Sequence, residues 1–518
     1  MSLLKSTAVV SVMTLLSRIS GLARDMVFAF IFHVGGTTDA FFIAFKIPNF
    51  LRRLFAEGAF SQAFVPVLSE YKVQRDSEAV RDLIRHVAGT LGALLTLLTM
   101  VVVLATPLIV MLIAWGYIGD EAKIDLTARM LRITFPYILF ISLTALVSSV
   151  LNTFGRFAVP AFTPVLLNLS LIAAALWLAP HMEEPVMALA WGVFIAGIAQ
   201  LVFQLPFLAR LGLLRWPRLA WSHKGVQRIM RLMLPGIIGS SAMQINLLFD
   251  IMIASFLVEG SITWLYYSDR MIEFPLGVFG IALATVILPN LSEKFARAEP
   301  EGFTQMLDWA LRWVLLIGVP ASIGLGVLAG PVLITLFFRG EFTVHDVQMA
   351  TYSLFAYAFG LLGFMLVKVM VPGYFARQDT RTPMRISLIA MGINMMLNIV
   401  LVLALLQSGF SGPHAGLAAA TALSSFSNAL LLWYGLRRKG IYRPAPGWGK
   451  LLLQVAIAGG GMGGLLWWFA GDQAIWLEAG TLERVWRLLG LIVAGAAAYF
   501  ALLWLVGIRL AAVKRPGS

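Results

Sequence analysis

Five arginines, Arg18, Arg24, Arg52, Arg53 and Arg270, lie within stretches otherwise apolar enough to be read as membrane-spanning helices. A cationic side chain near a bilayer centre costs roughly 2.5–3.5 kcal/mol on insertion scales, so such residues face a wet cavity, a partner or an anion. A guanidinium presents planar, forked donors that match phosphate oxygens in pairs, whereas a carboxylate-lined cavity suits cations. The chemistry on offer is anion recognition inside a membrane.

The neighbours of these arginines sharpen that reading. In the first span Ser17, Gly21 and Arg24 share a face at i, i+4, i+7, and Arg18 and Asp25 share the adjacent stripe. The second span begins near Asp39 and carries Lys46, Asn49, Arg52, Arg53 and Glu57. Arg53 and Glu57 stand one turn apart and neutralise each other, which gives Arg53 a structural role and leaves Arg52 for ligand. In the eighth span Asp269 and Glu273 share a face that can hold Arg270 or a neighbouring arginine, and Pro275 is expected to kink or break the helix. Adding Asp250 and Lys368, the first half of the chain carries two net positive intramembrane charges and the second half one net negative. Ser17 and Asn49 complete a candidate binding set of Arg18, Arg24, Arg52 and Arg270, with Asp25, Asp39, Lys46, Arg53, Glu57, Asp269, Glu273 and Lys368 as gating or supporting charges. Salt bridges between the two halves, closing one gate of an empty transporter, are an alternative role compatible with the first.

The elements that position these groups follow from composition. With 59% hydrophobic and 13% charged residues and a mean hydropathy of +0.86, 518 residues have too little polar surface for a water-soluble globule. Runs of about 20 apolar residues, each able to cross a hydrocarbon core roughly 30 Å thick, recur along the chain. Counting the charge-bearing runs gives 14 spans, an all-α polytopic membrane protein. The absence of Cys excludes disulfides and thiol chemistry. Ser17, Arg18, Arg24 and Asp25 interrupt the core a cleavable signal would need, so the first span is expected to be retained.

The net charge of +13 does not point to nucleic acid, because the basic residues sit in alternate short loops. Examples are Lys72 to Arg85, Arg210 to Arg228 and Arg437 to Arg443, while His33 to Thr38, His181 to Pro185 and Gln407 to His414 are nearly free of them. By the positive-inside rule both termini are cytoplasmic.

The chain also repeats itself. Pro66-Val67-Leu68-Ser69-Glu70 recurs as Pro289-Asn290-Leu291-Ser292-Glu293, an offset of 223; Asp25 to Phe32 parallels Asp250 to Leu257 at 225, and Ala105-Thr106-Pro107-Leu108 parallels Ala329-Gly330-Pro331-Val332 at 224. One such match among apolar segments would be chance, but several in order at nearly constant offset make a true repeat. We therefore expect two parallel six-helix repeats, residues 1–220 and 221–440, followed by a helix pair in 441–518. Transporters built from paired repeats bind substrate near the midplane and rock one repeat against the other.

Two weaker patterns remain. Asp250, Asn394, Asn398 and Thr421 are oxygen donors of the kind a coupling Na⁺ takes, although membrane Asn also hydrogen-bonds neighbouring helices. The glycine run Gly459 to Gly464 and Gly495-Ala496-Ala497-Ala498 suit close helix packing, or the shaping of a groove for a long lipid tail.

Several long strings, SRISGLARD (17–25), TDAFFIAFKIPNFLRRLFAEGAFSQAFVP (38–66), YYSDRMIEFPLGVFGIAL (266–283) and VKVMVPGYFARQDTRTP (367–383), resemble the MurJ (MviN) lipid II flippases of the MOP transporter superfamily. The resemblance covers essentially the whole chain. It implies 14 helices around a cationic cavity for the head of lipid II, with the undecaprenyl tail along the terminal pair, in the bacterial cytoplasmic (inner) membrane and in the service of peptidoglycan and cell-wall biogenesis. It places the functional arginines at Arg18, Arg24, Arg52 and Arg270, supporting carboxylates at Asp39, Glu57, Asp269 and Glu273, and lysines at Lys46 and Lys368. A sodium site described in some members maps to Asp250, Asn398 and Thr421. No other cofactor is expected, and the protein is expected to be monomeric, surrounded by membrane lipids and in association with cell-wall synthesis proteins. Competing readings are a flippase for another polyprenyl-diphosphate glycan, a MATE-like exporter, and a membrane enzyme acting on polyprenyl phosphates. The basic cavity argues against the exporter, and the lack of a metal cluster or nucleophile-base pair in the sequence argues against the enzyme.

Overall fold

The computed structural model describes residues 3–53, 60–277 and 281–508, with side chains described outside 3–8, 235–244 and 281–285. Its regular elements are helices, as a chain whose backbone must satisfy its own hydrogen bonds in lipid requires. In order they are α1 (Leu3–Ile31), α2 (Gly36–Arg52), α3 (Phe60–Gln74), α4 (Ser77–Leu104), α5 (Thr106–Ile113), α6 (Glu121–Thr134), α7 (Tyr137–Thr153), α8 (Ala158–Ala173), α9 (Met187–Arg210) and α10 (Lys224–Ala254). There follow α11 (Ser261–Pro275), α12 (Ile281–Ala296), α13 (Pro300–Val327), α14 (Ala329–Phe337), α15 (Val344–Phe375), α16 (Arg381–Gln407), α17 (Ala415–Arg438), α18 (Trp448–Ala470), α19 (Gln473–Glu478) and α20 (Thr481–Leu505).

The repeat expected from sequence is visible in the helix boundaries. Helices α4 and α13 each run 28 residues. Each ends in the same backbone bend, at Ala105 (φ −97°, ψ 14°) and at Leu328 (φ −92°, ψ 13°), before a short helix with proline near its start. Helices α9 and α17 are both 24 residues long. Among the described residues, 10 helical segments are long and apolar enough to cross a membrane. The charge-bearing spans of α1, of α2 with α3, of α10, and of α11 with α12 add to these, consistent with the expected fourteen.

By packing, the chain forms two compact units, Met1–Thr263 and Trp264–Ser518. In the first, α1 packs on α8, α2 on α6, α7 and α8 on α9, and α10 on α3 and α4. Its core contains a buried polar zipper in which Gln200 and Gln204 of α9 bond Tyr137, Ser148 and Thr163 of α7 and α8. Amide ladders of this kind join helices in lipid, where apolar attraction between them is weak.

In the second unit α15 is the central helix, packed on α13 and α17, with α16 against α17. Close approach is set by small residues: side chains added at Gly360 or Gly363 would run into Ala422 and Ser425. The glycine run of α18 serves packing in the same way, since Gly459 and Gly463 face Ile323 of α13 and Gly461 faces Leu502 of α20. Large apolar side chains left exposed on α18 and α20, among them Trp467, Trp468, Trp486 and Trp504, supply a lipid-facing surface.

Candidate functional site

In α1 Arg24 is 2% exposed. Its Nε and Nη2 donate to Asp25 Oδ1 at 2.9 and 2.6 Å, its Nη1 donates to Asn168 Oδ1 of α8 at 3.0 Å, and its plane lies 5.6 Å from the Phe28 ring centre. Asn168 in turn donates through Nδ2 to the Ser17 carbonyl at 3.1 Å and to Ser20 Oγ at 2.9 Å. A side chain added at Gly21 would come within ordinary contact distance of the Asn168 amide. A buried cation is tolerated only when paired and hydrogen-bonded, and here one carboxylate and one amide do both. Arg18 and Ser17 are half-buried on the same helix.

Helix α2 contributes Lys46, Asn49 and Arg52, all half-buried. Arg52 Nε donates to Asn49 Oδ1 at 3.1 Å, and Asn49 Nδ2 donates to the Phe45 carbonyl, so Asn49 steers the guanidinium one turn ahead of it. Arg53 is exposed; its expected partner Glu57 lies outside the described residues.

Asp39, at the first turn of α2, is 3% exposed. Its carboxylate accepts from the Gly260 N–H at 2.7 Å, the Thr263 N–H at 2.8 Å and the Thr263 hydroxyl at 2.7 Å. A carboxylate taking the unsatisfied N–H groups at a helix start does the work of an N-cap, here supplied from another helix for α11. Nearby, Lys123 Nζ bridges Glu259 Oε1 and Asp120 Oδ2 at 2.9 and 3.2 Å.

In the second unit α11 offers its cation differently. Arg270 Nη1 donates to Glu273 Oε2 at 2.6 Å, with side-chain exposures of 31% and 43%, and the guanidinium lies 5.5 Å from the Tyr266 ring centre. Asp269 is exposed, and α11 ends at Pro275. The other face of the helix is locked: Ser268 Oγ donates to the Ala350 carbonyl and lies 2.7 Å from Ser353 Oγ of α15, and Trp264 Nε1 donates to Asp346 Oδ1 at 2.8 Å. The Trp264 indole also packs against the His414 ring at 5.1 Å. His414 is fully buried before α17, bonded to the Met349 carbonyl, and burial holds its pKa down at about 4. Lys368 on α15 is exposed.

Of the candidate sodium ligands, Asn394, Asn398 and Thr421 come together between α16 and α17. Asn398 Nδ2 donates to Asn394 Oδ1 at 3.1 Å, and Asn394 Nδ2 to Thr421 Oγ1 at 3.3 Å. Asp250 is half-buried on α10 of the first unit. Sequence reasoning missed Asn168, Thr263, Trp264 and Ser268. A lone amide in the apolar run around Asn168 was a signal; the others carried none beyond their place on charged helices.

Comparison with known proteins follows the same lines. The family model for the lipid II flippase MurJ matches residues 28–481. A probable lipid II flippase MurJ of Vibrio cholerae serotype O1 is 49% identical over 99% of this chain and 98% of its own length. The lipid II flippase MurJ of Burkholderia cenocepacia is 40% identical over 99% of each. A solved structure of lipid II flippase MurJ in an inward closed conformation superposes with a TM-score of 0.79 at 26% identity, covering 95% of this chain and 97% of that one. An inward-facing MATE family multidrug transporter of the MOP superfamily shares the fold at a TM-score of 0.63 and 13% identity, over 82% of this chain and 95% of that one. With this family match over most of the chain and relatives of this identity over nearly its full length, the chain belongs to the lipid II flippase MurJ family.

Proposed function

We propose that this chain is a flippase that carries lipid II, the undecaprenyl-diphosphate-linked peptidoglycan precursor, from the inner to the outer leaflet of the bacterial cytoplasmic membrane by alternating access. The observation that carries the reading is the set of guanidinium groups on charged helices of an otherwise apolar chain, Arg24 buried and Arg18, Arg52 and Arg270 half-buried, on a chain whose curated relatives bear that name. The diphosphate is taken up by Arg18, Arg24, Arg52 and Arg270, with Ser17 and Asn49 adding hydrogen bonds. The carboxylates Asp25, Glu273 and Asp39 orient or gate these groups, and the prenyl tail stays in lipid alongside α18 and α20. The potential, negative inside, favours outward passage of an anion by about 2.3 kcal/mol per charge per 100 mV.

Both termini are cytoplasmic in this reading, supported by the arginine-rich alternate loops. The protein acts as a monomer and associates with cell-wall synthesis enzymes. Na⁺ is a coupling ion held by oxygens of Asp250, Asn394, Asn398 and Thr421; the amide cluster at Asn394 and Asn398 supplies neutral donors of the right type. Reconstitution into proteoliposomes tests the transport reading: lipid II should move, Arg24→Ala and Arg270→Ala should abolish movement while inserting normally, and a Na⁺ gradient should change the rate. Normal movement in both variants would remove the arginine assignment. Movement of a different polyprenyl-diphosphate glycan in preference to lipid II would change the substrate.

A further inference from the structure

A second cluster of ligating side chains lies in the first unit, at an arginine-rich end of the helices and apart from the charges discussed above. Asp82 and His86 stand one turn apart on α4, and His223 precedes α10. Asp82 Oδ2 is 3.2 Å from His86 Nδ1 and 3.5 Å from His223 Nε2. The two imidazoles lie nearly parallel, 29° apart with centroids at 5.1 Å. Three donor atoms, one from each residue, fall within 4.8 Å of one another.

Two features distinguish this from a surface ion pair. His86 Nδ1 is buried and, although close to the carboxylate, is poorly aligned with it and makes no hydrogen bond among the described residues. The donor spacing is also that of a tetrahedral site. Nitrogen and oxygen ligands about 2.0–2.1 Å from a metal lie roughly 3.3 Å from each other, and two of the three edges already have that length. The third, between the two imidazole nitrogens, is no longer than 4.8 Å. The Asp82 side chain is 43% exposed, which leaves a path of entry and a fourth position for water. Two imidazoles and one carboxylate suit borderline divalent ions of the zinc, nickel and copper group over Mg²⁺ or Ca²⁺.

We propose that Asp82, His86 and His223 form a binding site for a divalent transition-metal ion, represented by Zn²⁺, that fastens α4 to the chain entering α10. Ligation changes the role of His223. Its Nδ1 accepts from the Gly225 and Val226 N–H groups at 3.2 and 3.4 Å, as the N-cap of α10. An imidazole that ligates through Nε2 carries its proton on Nδ1, so the metal moves that proton across the ring and withdraws the cap.

The test is calorimetric titration of Zn²⁺ into the purified full-length protein in detergent, free of any histidine tag, with Co²⁺ as a spectroscopic substitute. The wild type should bind one equivalent, and Co²⁺ should give the visible bands of a tetrahedral site. His86→Gln and His223→Gln should each weaken Zn²⁺ at least about tenfold, the loss that even outer-shell partners cause. Asp82→Asn keeps both rings and the α10 cap, so it reports on ligation if His223→Gln disturbs folding; it too should lose affinity and the Co²⁺ bands. Absence of those bands in the wild type, or Zn²⁺ affinity unchanged in Asp82→Asn and His86→Gln, would overturn the site. The outcome is independent of lipid translocation.

Discussion

Arg24 in α1 and Arg270 in α11 are both cations within charged spans of corresponding repeats, yet the two units hold them in opposite ways. Arg24 is sunk in protein, with three guanidinium nitrogens engaged by Asp25 and Asn168. Arg270 is 31% exposed beside a half-exposed Glu273, and it is the far face of its helix, through Ser268 and Trp264, that is locked in place. In the first unit the structure fixes the charge itself. In the second it fixes the helix and leaves the charge presented at a surface. A fixed cation gives geometry to recognition, and a presented one can change partners during a cycle.

That contrast can be broken most directly by lysine replacement. Lysine keeps the charge but not the planar fork. Arg24→Lys cannot reach Asp25 and Asn168 with the same geometry, and its translocation of lipid II should fall by more than tenfold. Arg270→Lys keeps a charge beside the half-exposed Glu273 and should keep a substantial fraction. Equal losses in a proteoliposome assay would mean that the two arginines serve one role.

The next largest effect is on stability. Asp25→Asn removes one partner of a buried ion pair, a loss that costs about 3–5 kcal/mol. Thermal unfolding in detergent should show a large drop in Tm. A change no greater than that of a surface substitution would contradict the burial of this pair.

On the second unit, the lock behind Arg270 should be sensitive to acid. Burial holds the His414 pKa at about 4, below the ordinary 6.5, so the unfolded chain takes up this proton before the folded one does. Stability from this group is complete above pH 6.5 and is lost as pH falls toward 4, by about 2 kcal/mol between pH 7 and pH 5. His345 and Asp346 are the charged or titratable neighbours around the same indole. His414→Gln should flatten that slope of Tm against pH, and an unchanged slope would assign it elsewhere.

How far the sequence foretold all this depends on the range of each interaction. The repeat was readable because helix breaks at Ala105 and Leu328 follow from local chemistry, repeated at fixed spacing. The pairing of Arg270 with Glu273 was within reach for the same reason, as neighbours one turn apart on one helix, whereas Arg24 bonds Asp25, which the helical periodicity had set on a stripe with Arg18. Asn168 was not within reach, because its partner stands 144 residues away, and no periodicity reports a contact between different helices. The Asp39 clamp on Thr263, 224 residues apart, was hidden in the same way. So was the packing of α10, the first helix of the second repeat, with the first unit.

The smallest effect sharpens the comparison most. Glu273→Gln removes the carboxylate from a pair whose side chains are 31% and 43% exposed, and exposed pairs contribute about 0–1 kcal/mol. Its Tm should therefore barely move, while Asp25→Asn moves far. Function should separate the two in a second way. In the proposed reading Glu273 competes with the diphosphate for the Arg270 guanidinium, so its neutralisation should strengthen lipid II binding and slow release, lowering turnover with the fold intact. A loss of stability like that of Asp25→Asn would show that Glu273 holds Arg270 as a fixed structural cation, and the distinction between a charge that is built in and a charge that is presented would fail.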